Sequence, residues 1–196
     1  RRTRTWAHDA ATSTKEDIVT TENTSSGTTA ALVIVESYFG STRTIAEAIA
    51  AGLSGTGAQA RVLDVDRAPD VLPADLDRLV LGAPTHNRGL PTAGTRATAC
   101  KKQGATTSAT GVREWLAAVS IPASTRVAAF DTVVGRNWLN GSAAKAIAKT
   151  LRRAGRGEPA VKSFLVTSGP GPRGDGEEAA ARDWGRELAQ ASPSSG

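Results

Sequence analysis

From residue 30 onward, the apolar residues of this chain fall into two alternating kinds of run. Short strand-like runs occupy 31–35, 60–65, 78–82, 126–130 and 161–166, of which 31–35 is continuous and rich in β-branched residues. Runs of that kind predict strands covered on both faces. Between them, apolar residues recur at three- and four-residue spacing. Ile45, Ile49 and Leu53 share a face with Ala46 and Ala50. Val112, Trp115, Leu116 and Val119 form a second stripe, Ile147 and Leu151 a third, and Trp184 and Leu188 a fourth. These stripes predict helices over 42–53, 111–119, 142–153 and 175–190, with one further helical turn over 71–76. Gly155 is placed to stop the third of the four, and Asp175 with Glu178 three residues on resembles a capping box for the last. Strand and helix in alternation argue for a parallel sheet with right-handed crossovers. Residues 84–110 carry neither pattern, and a connection of that length in a small domain is usually functional or disordered.

Outside this region the patterning disappears. Residues 1–29 are rich in Thr and Ser and read as a disordered tail, as do residues 192–196. The predicted domain is therefore 30–191. Residues 1–29 hold four basic and four acidic side chains, so the net charge of +5 resides entirely in the domain. No apolar stretch approaches the ~20 residues needed to cross a bilayer. Arg1-Arg2 is followed by no apolar targeting segment, so a cytoplasmic setting is expected. A single cysteine, Cys100, excludes an internal disulfide framework and offers no metal cluster. There is no zinc-finger spacing, aromatic–basic RNA signature or dense Lys/Arg run, so no nucleic-acid partner is expected.

The chemistry concentrates between the first strand and first helix. Ser37-Tyr38-Phe39-Gly40-Ser41-Thr42 is a hydroxyl-rich turn with one glycine. A strand that enters a helix through such a turn aims backbone N–H groups and the positive end of the helix dipole at one point, which suits a phosphate. Ser41 or Thr42 could equally cap the helix, and the two roles use the same geometry.

This turn resembles the flavodoxin signature T/S-x-T-G-x-T, with Ser37, Gly40 and Thr42 matching directly. Ser41 stands where the family most often has Asn, and Phe39 where a hydroxyl is common. The resemblance extends to Gly82-Ala83-Pro84-Thr85-His86, Arg113-Glu114-Trp115-Leu116 and Phe130-Asp131-Thr132, a series similar to that of actinobacterial-type flavodoxin-domain proteins. It implies a five-stranded parallel sheet of order 2-1-3-4-5 with helices on both faces. Ligand would then sit at the switch point between strands 1 and 3, outside the carboxyl ends of the strands.

The implied cofactor is FMN. The resemblance assigns its phosphate to the turn of Ser37, Tyr38, Phe39, Gly40, Ser41 and Thr42. Its ring would lie along Pro84, Thr85, His86 and Asn87, with Arg88 near a reduced flavin's charge. Asp131 and Thr132 would meet the pyrimidine edge, and Trp138 is the aromatic candidate for the other ring face. No residue is assigned a catalytic role and none a metal. The implied activity is electron transfer or flavin-dependent reduction, with a redox partner protein or a small-molecule acceptor. An NAD(P)H-dependent quinone or flavin reductase on the same fold is the alternative within enzymes. The unusual Phe39 and an aromatic-poor second loop favour a third reading, a flavin-free binding or regulatory module.

Overall fold

The structure is a computed structural model that describes residues 30–103, 110–134, 141–167 and 176–191. Its five strands are β1 (Ala30–Val35), β2 (Gln59–Asp64), β3 (Leu76–Pro84), β4 (Arg126–Val133) and β5 (Ala160–Leu165). All neighbouring pairs are parallel, and the sheet order is β2-β1-β3-β4-β5. The helices are α1 (Ser41–Ser54), α2 (Ala93–Gln103), α3 (Val112–Ala118), α4 (Ala143–Arg153) and α5 (Gly176–Gln190). The expected doubly wound architecture is therefore present.

The continuous apolar strands explain the layering. On β1, Val33 and Val35 point into one cluster with Ile45, Ile49, Leu53, Phe164 and Trp184, beneath α1 and α5. Leu32 and Ile34 point to the other face, where Trp115, Ile147 and Leu151 of α3 and α4 cover them. A strand buried on both sides cannot slip by one residue, because its two apolar sets serve different cores. Trp115 and Trp184 are both buried packing residues. Trp184 meets Phe164 edge to face at 6.0 Å, and the Trp115 indole donates to the Pro69 carbonyl at 3.2 Å.

Three expectations need correction. The helical turn lies at Val65–Arg67 rather than over 71–76, and Val71 instead forms a β-bridge with Ser120. β3 and β4 run two or three residues further towards their carboxyl ends than the apolar runs suggest. The segment over 84–110 is no structureless loop, since α2 occupies residues 93–103 of it. α2 escapes periodicity because it is built from Ala, Thr, Gly and charged residues. Its start was nonetheless legible: the Thr95 hydroxyl accepts the Thr92 N–H at 2.9 Å, and the Thr95 N–H returns to the Thr92 hydroxyl at 3.3 Å. The capping residue expected at Asp175, and both predicted tails, lie outside the described residues.

α1 and α5 approach so closely that only glycine fits at their crossing. A Cβ on Gly185 would stand 2.2 Å from the Ile49 carbonyl oxygen, and one on Gly52 would stand 2.0 Å from that of Arg182. Both obstacles are helix backbone and cannot rotate away. Gly185→Ala is therefore expected to destabilise the fold by about 1–3 kcal/mol through forced separation of the helices. Urea unfolding of the two proteins measures it, and an unchanged midpoint would show that the crossing is looser than described.

Candidate functional site

At the carboxyl edge of the sheet, a cavity of about 250 Å³ opens between the ends of β1, β3, β4 and β5. Tyr38, Phe39, Ser41 and Thr42 form its first wall, and Pro84, Thr85, His86 and Asn87 its second. Thr132, Val134, Val166 and Thr167 complete the lining. The three loops that the sequence assigned to one site thus meet. Of the predicted residues, Ser37, Gly40 and Asp131 stand behind or beside this lining, and Trp138 lies outside the described residues.

The first wall is built on a left-handed residue. Gly40 has φ +88° and precedes the first turn of α1, a backbone state that glycine enters without steric cost. Its carbonyl accepts the Thr44 N–H at 2.9 Å, and the Ser37 hydroxyl accepts the Arg43 N–H at 3.3 Å. The Thr42 and Thr132 hydroxyls share one hydrogen bond at 2.9 Å, linking α1 to β4. Only one hydrogen is used in that bond, so one hydroxyl of the pair can still donate outward.

The second wall is a tight reversal. His86 and Gly89 exchange backbone hydrogen bonds, both 3.0 Å, across Asn87 and Arg88. These two residues have φ of +45° and +67°. Two successive left-handed residues in a two-residue turn favour Asn-Gly, so Arg88 holds this shape at a cost of about 1 kcal/mol. Gly141 packs against the Arg88 backbone, where a Cβ would come within 2.0 Å of the carbonyl oxygen. Arg88 itself is exposed and borders a shallow neighbouring depression rather than the main cavity.

Asp131 does not reach the cavity. It is fully buried, and its Oδ2 accepts from the Thr85 hydroxyl at 2.8 Å, the Ser142 hydroxyl at 2.7 Å and the Ala144 N–H at 3.1 Å. The Ala143 N–H goes to the Thr85 hydroxyl and the Lys145 N–H to the Ser142 hydroxyl. Each of the first three amides of α4 therefore has a side-chain partner. Asp131 shapes the site by tying the β3 loop to the start of α4.

A second buried carboxylate, which the sequence reading did not single out, supports the first wall. Glu36 is 2% exposed; its Oε1 accepts the Tyr38 hydroxyl at 2.6 Å, and its Oε2 accepts the Val112 N–H at 2.9 Å. Arg96 of α2 pairs with Glu36 at 3.5 Å and with Glu114 at 2.9 Å. Burial alone would raise the Glu114 carboxyl, but its bonds to Arg96 and to backbone amides hold it below the usual range. Burial, and then the bond to Glu36, push the Tyr38 phenol well up, so it stays a neutral donor. The signal available in the sequence was an acidic residue directly after a buried strand. It lacked only its cation, which arrives from sixty residues away.

Tyr38 in turn meets the His86 imidazole edge to face at 5.0 Å. Burial lowers the His86 pKa, with the Glu36 charge opposing in part, so the ring at neutral pH is an uncharged donor–acceptor.

The flavodoxin family model matches residues 33–114 of the chain. That span contains the hydroxyl turn and the Gly82–His86 segment, and ends before the Phe130-Asp131-Thr132 strand end. No curated protein matches the chain. Among solved structures, flavodoxin 1 from Bacillus cereus is similar with TM-score 0.57 at 16% identity, over 84% of this chain and 100% of that one. A flavodoxin from the domain Archaea aligns at TM-score 0.53 and 17% identity, over 82% and 96%. The Flv1 flavodiiron core from Synechocystis aligns at 0.54 and 20% identity, with 84% of this chain covering 36% of that one. At these identities the likeness establishes the fold.

Two outcomes test the site's construction. Asp131→Ala leaves three donors without their acceptor and is expected to cost about 3 kcal/mol. Amide exchange should quicken first at Thr85, Ala143 and Ala144, whereas uniform quickening would show that Asp131 stabilises the domain as a whole. His86 should titrate below its ordinary value of about 6.5. The unfolded chain then takes up the proton first as pH falls. The His86 contribution is full above about pH 6.5 and is lost between that value and the lower folded one. An NMR titration of the imidazole Cε1–H checks the direction, and a raised pKa would put Glu36 rather than burial in control.

Proposed function

We propose that this chain, whose residues 33–114 match the flavodoxin family model, holds FMN at the carboxyl edge of its sheet and carries electrons to a partner protein or a small acceptor. The observation that carries this reading is the chemistry of the cavity lining. Hydroxyl residues and the start of α1 form one wall, Phe39, His86, Val134 and Val166 supply ring-sized apolar and aromatic surface, and none of the described lining residues is acidic.

The residues fit the group. A Cβ on Gly40 would meet nothing within 4 Å, so the turn leaves open space above the first turn of α1. A dianionic phosphate there gains from the helix dipole and from hydroxyl donors without needing a cation. Ser37, Ser41 and Thr42 would bind it, and Thr132 would hold Thr42 in place. The buried acid Glu36 faces Arg96 and Tyr38, and Asp131 accepts from Thr85, Ser142 and Ala144, so each has its own protein donors. Phe39, which stands where a hydroxyl is common, contributes apolar contact in place of a phosphate bond.

When bound, the flavin supplies one- and two-electron chemistry that no side chain here can perform. Pro84, Thr85 and His86 would border the ring and keep water from one edge. A neutral His86 can donate a hydrogen bond to a ring heteroatom without adding a full charge. The left-handed turn at Asn87 and Arg88 keeps backbone groups in fixed positions along that edge. The basic domain favours acidic acceptors in the encounter step.

FMN fluorescence should be quenched saturably at one equivalent per chain, with a Kd below about 10 μM. Thr42→Ala should weaken binding about tenfold, the loss of one charge-assisted hydrogen bond, while circular dichroism stays unchanged. Fluorescence untouched by the wild-type protein would overturn the reading in favour of a flavin-free module. A flavin-loaded protein that oxidises NAD(P)H with a quinone acceptor would assign it instead to the reductases on this fold.

A further inference from the structure

The opposite edge of the sheet carries a larger cavity, of about 600 Å³, beneath the end of α5. Arg78 of β3, Arg126 of β4 and Arg156 after α4 all line it. Arg78 and Arg126 are register partners on adjacent strands, an arrangement in which like charges repel.

Arg78 is the unusual member. It is 3% exposed, and its Nε and Nη2 are buried without a hydrogen-bond partner. The closest carboxylate oxygen, on Asp77, lies 4.0 Å from Nη2 and is held at 2.5 Å by Arg126. Arg126 also donates to the Ala191 carbonyl. Arg156 directs Nη2 at the carbonyls of Pro122, Ala123 and Thr125, while its Nε is buried and unpartnered. Among the described lining residues the acid is Glu158, which is largely exposed and pairs with Arg152 at 2.9 Å. Burial, and then the Arg126 charge, lower the Arg78 pKa to about 10, still far enough above neutrality to keep it charged.

A buried guanidinium that leaves two of its three nitrogens unpartnered costs several kcal/mol. An isosteric apolar residue would serve packing better. The expense is recovered if an oxyanion accepts those donors, because a guanidinium fork matches phosphate oxygens in pairs. Ser124, on the same lining, adds a neutral polar group.

We infer that this cavity is an anion site for a phosphate-bearing small molecule, with Arg78 as its buried anchor and Arg126 and Arg156 as flanking donors. The site is independent of the flavin reading. It lies at the other end of the strands, six residues or about 20 Å along β3 from the FMN cavity. Its volume exceeds that of inorganic phosphate alone, so the ligand would be an organic phosphate monoester, with Val127 and Leu188 as apolar contacts.

The test is an amide chemical-shift titration of the full chain with inorganic phosphate and, separately, with AMP as a simple monoester. Shifts at residues 124–127 and 155–158 that saturate below about 5 mM are expected. AMP binding at least about tenfold tighter than inorganic phosphate assigns the organic ligand, while equal affinities assign a free-oxyanion site with the same anchor. Arg78→Met should weaken either ligand by about tenfold or more, and Arg78→Lys should restore only part of the loss, since it keeps the charge without the fork. Should Arg78→Met fail to fold, Arg126→Lys reads out the same loss. No saturable shift at 124–127 and 155–158, or shifts confined to residues 37–42, would overturn the inference while leaving the FMN reading intact. Binding that Arg78→Met leaves unchanged would overturn it as well.

Discussion

The arrangement of the candidate site depends on one buried carboxylate, Asp131. It sits at the carboxyl end of β4 with no access to water, so its charge must be met by protein donors. Thr85 from the β3 loop, Ser142 and the Ala144 amide provide them. The same groups that neutralise the acid also cap α4, which places a negative charge at the favourable end of a helix dipole. The β3 loop cannot move without stranding either the carboxylate or the Ala143 amide that Thr85 accepts. Cavity walls that look like loops are therefore held as firmly as the helices they adjoin.

Glu36 repeats this logic at the end of β1. One carboxylate joins the first loop through Tyr38, α2 through Arg96 and α3 through the Val112 amide. Removing either buried partner would leave an uncompensated charge, which generally costs more than the pair contributes when intact. Such a network adds little net stability, but it fixes which helix follows which strand end. The Tyr38 ring, held by its hydroxyl, then positions His86 across the cavity. Order thus passes from a strand end to the site by hydrogen bonds of defined direction, and the left-handed pair Asn87–Arg88 is sustained by what surrounds it.

What was legible in the sequence follows from the range of the forces involved. β1, buried on both faces, writes itself as a β-branched run, and the shorter apolar runs after it let the alternation of strand and helix be read. α1, α3 and α4 showed because three- and four-residue stripes are local. α2 was obscured because Ala and Thr give almost no stripe, although its Thr92–Thr95 cap was present in the sequence. The three loops converge because parallel strands all end on one edge, a consequence of topology that needs no contact information. The roles of the polar residues were harder to read. Asp131 looks like a ligand contact in a motif but serves as a helix cap, and nothing near Glu36 in sequence announces Arg96. Pairings across many residues depend on the folded register, which residue types alone do not encode.

The two edges of the sheet treat buried charge in opposite ways. At the carboxyl edge, Asp131 and Glu36 each have several donors, and the cavity they frame is lined by neutral groups. At the amino edge, Arg78 has burial without bonds and two cationic neighbours. Stability alone would not produce that asymmetry, because a parallel strand start tolerates an apolar residue at least as well as an unpaired guanidinium. The carboxyl edge meets its buried carboxylates with protein donors, although Asp131 Oδ1 is itself buried without a partner, and it is open to a ligand that brings its own charge to the start of α1. The amino edge is unfinished in its hydrogen bonding, and its missing partner must be an acceptor. The +5 net charge resides in this domain, and three of its arginines converge where the fold itself provides too few acids to answer them.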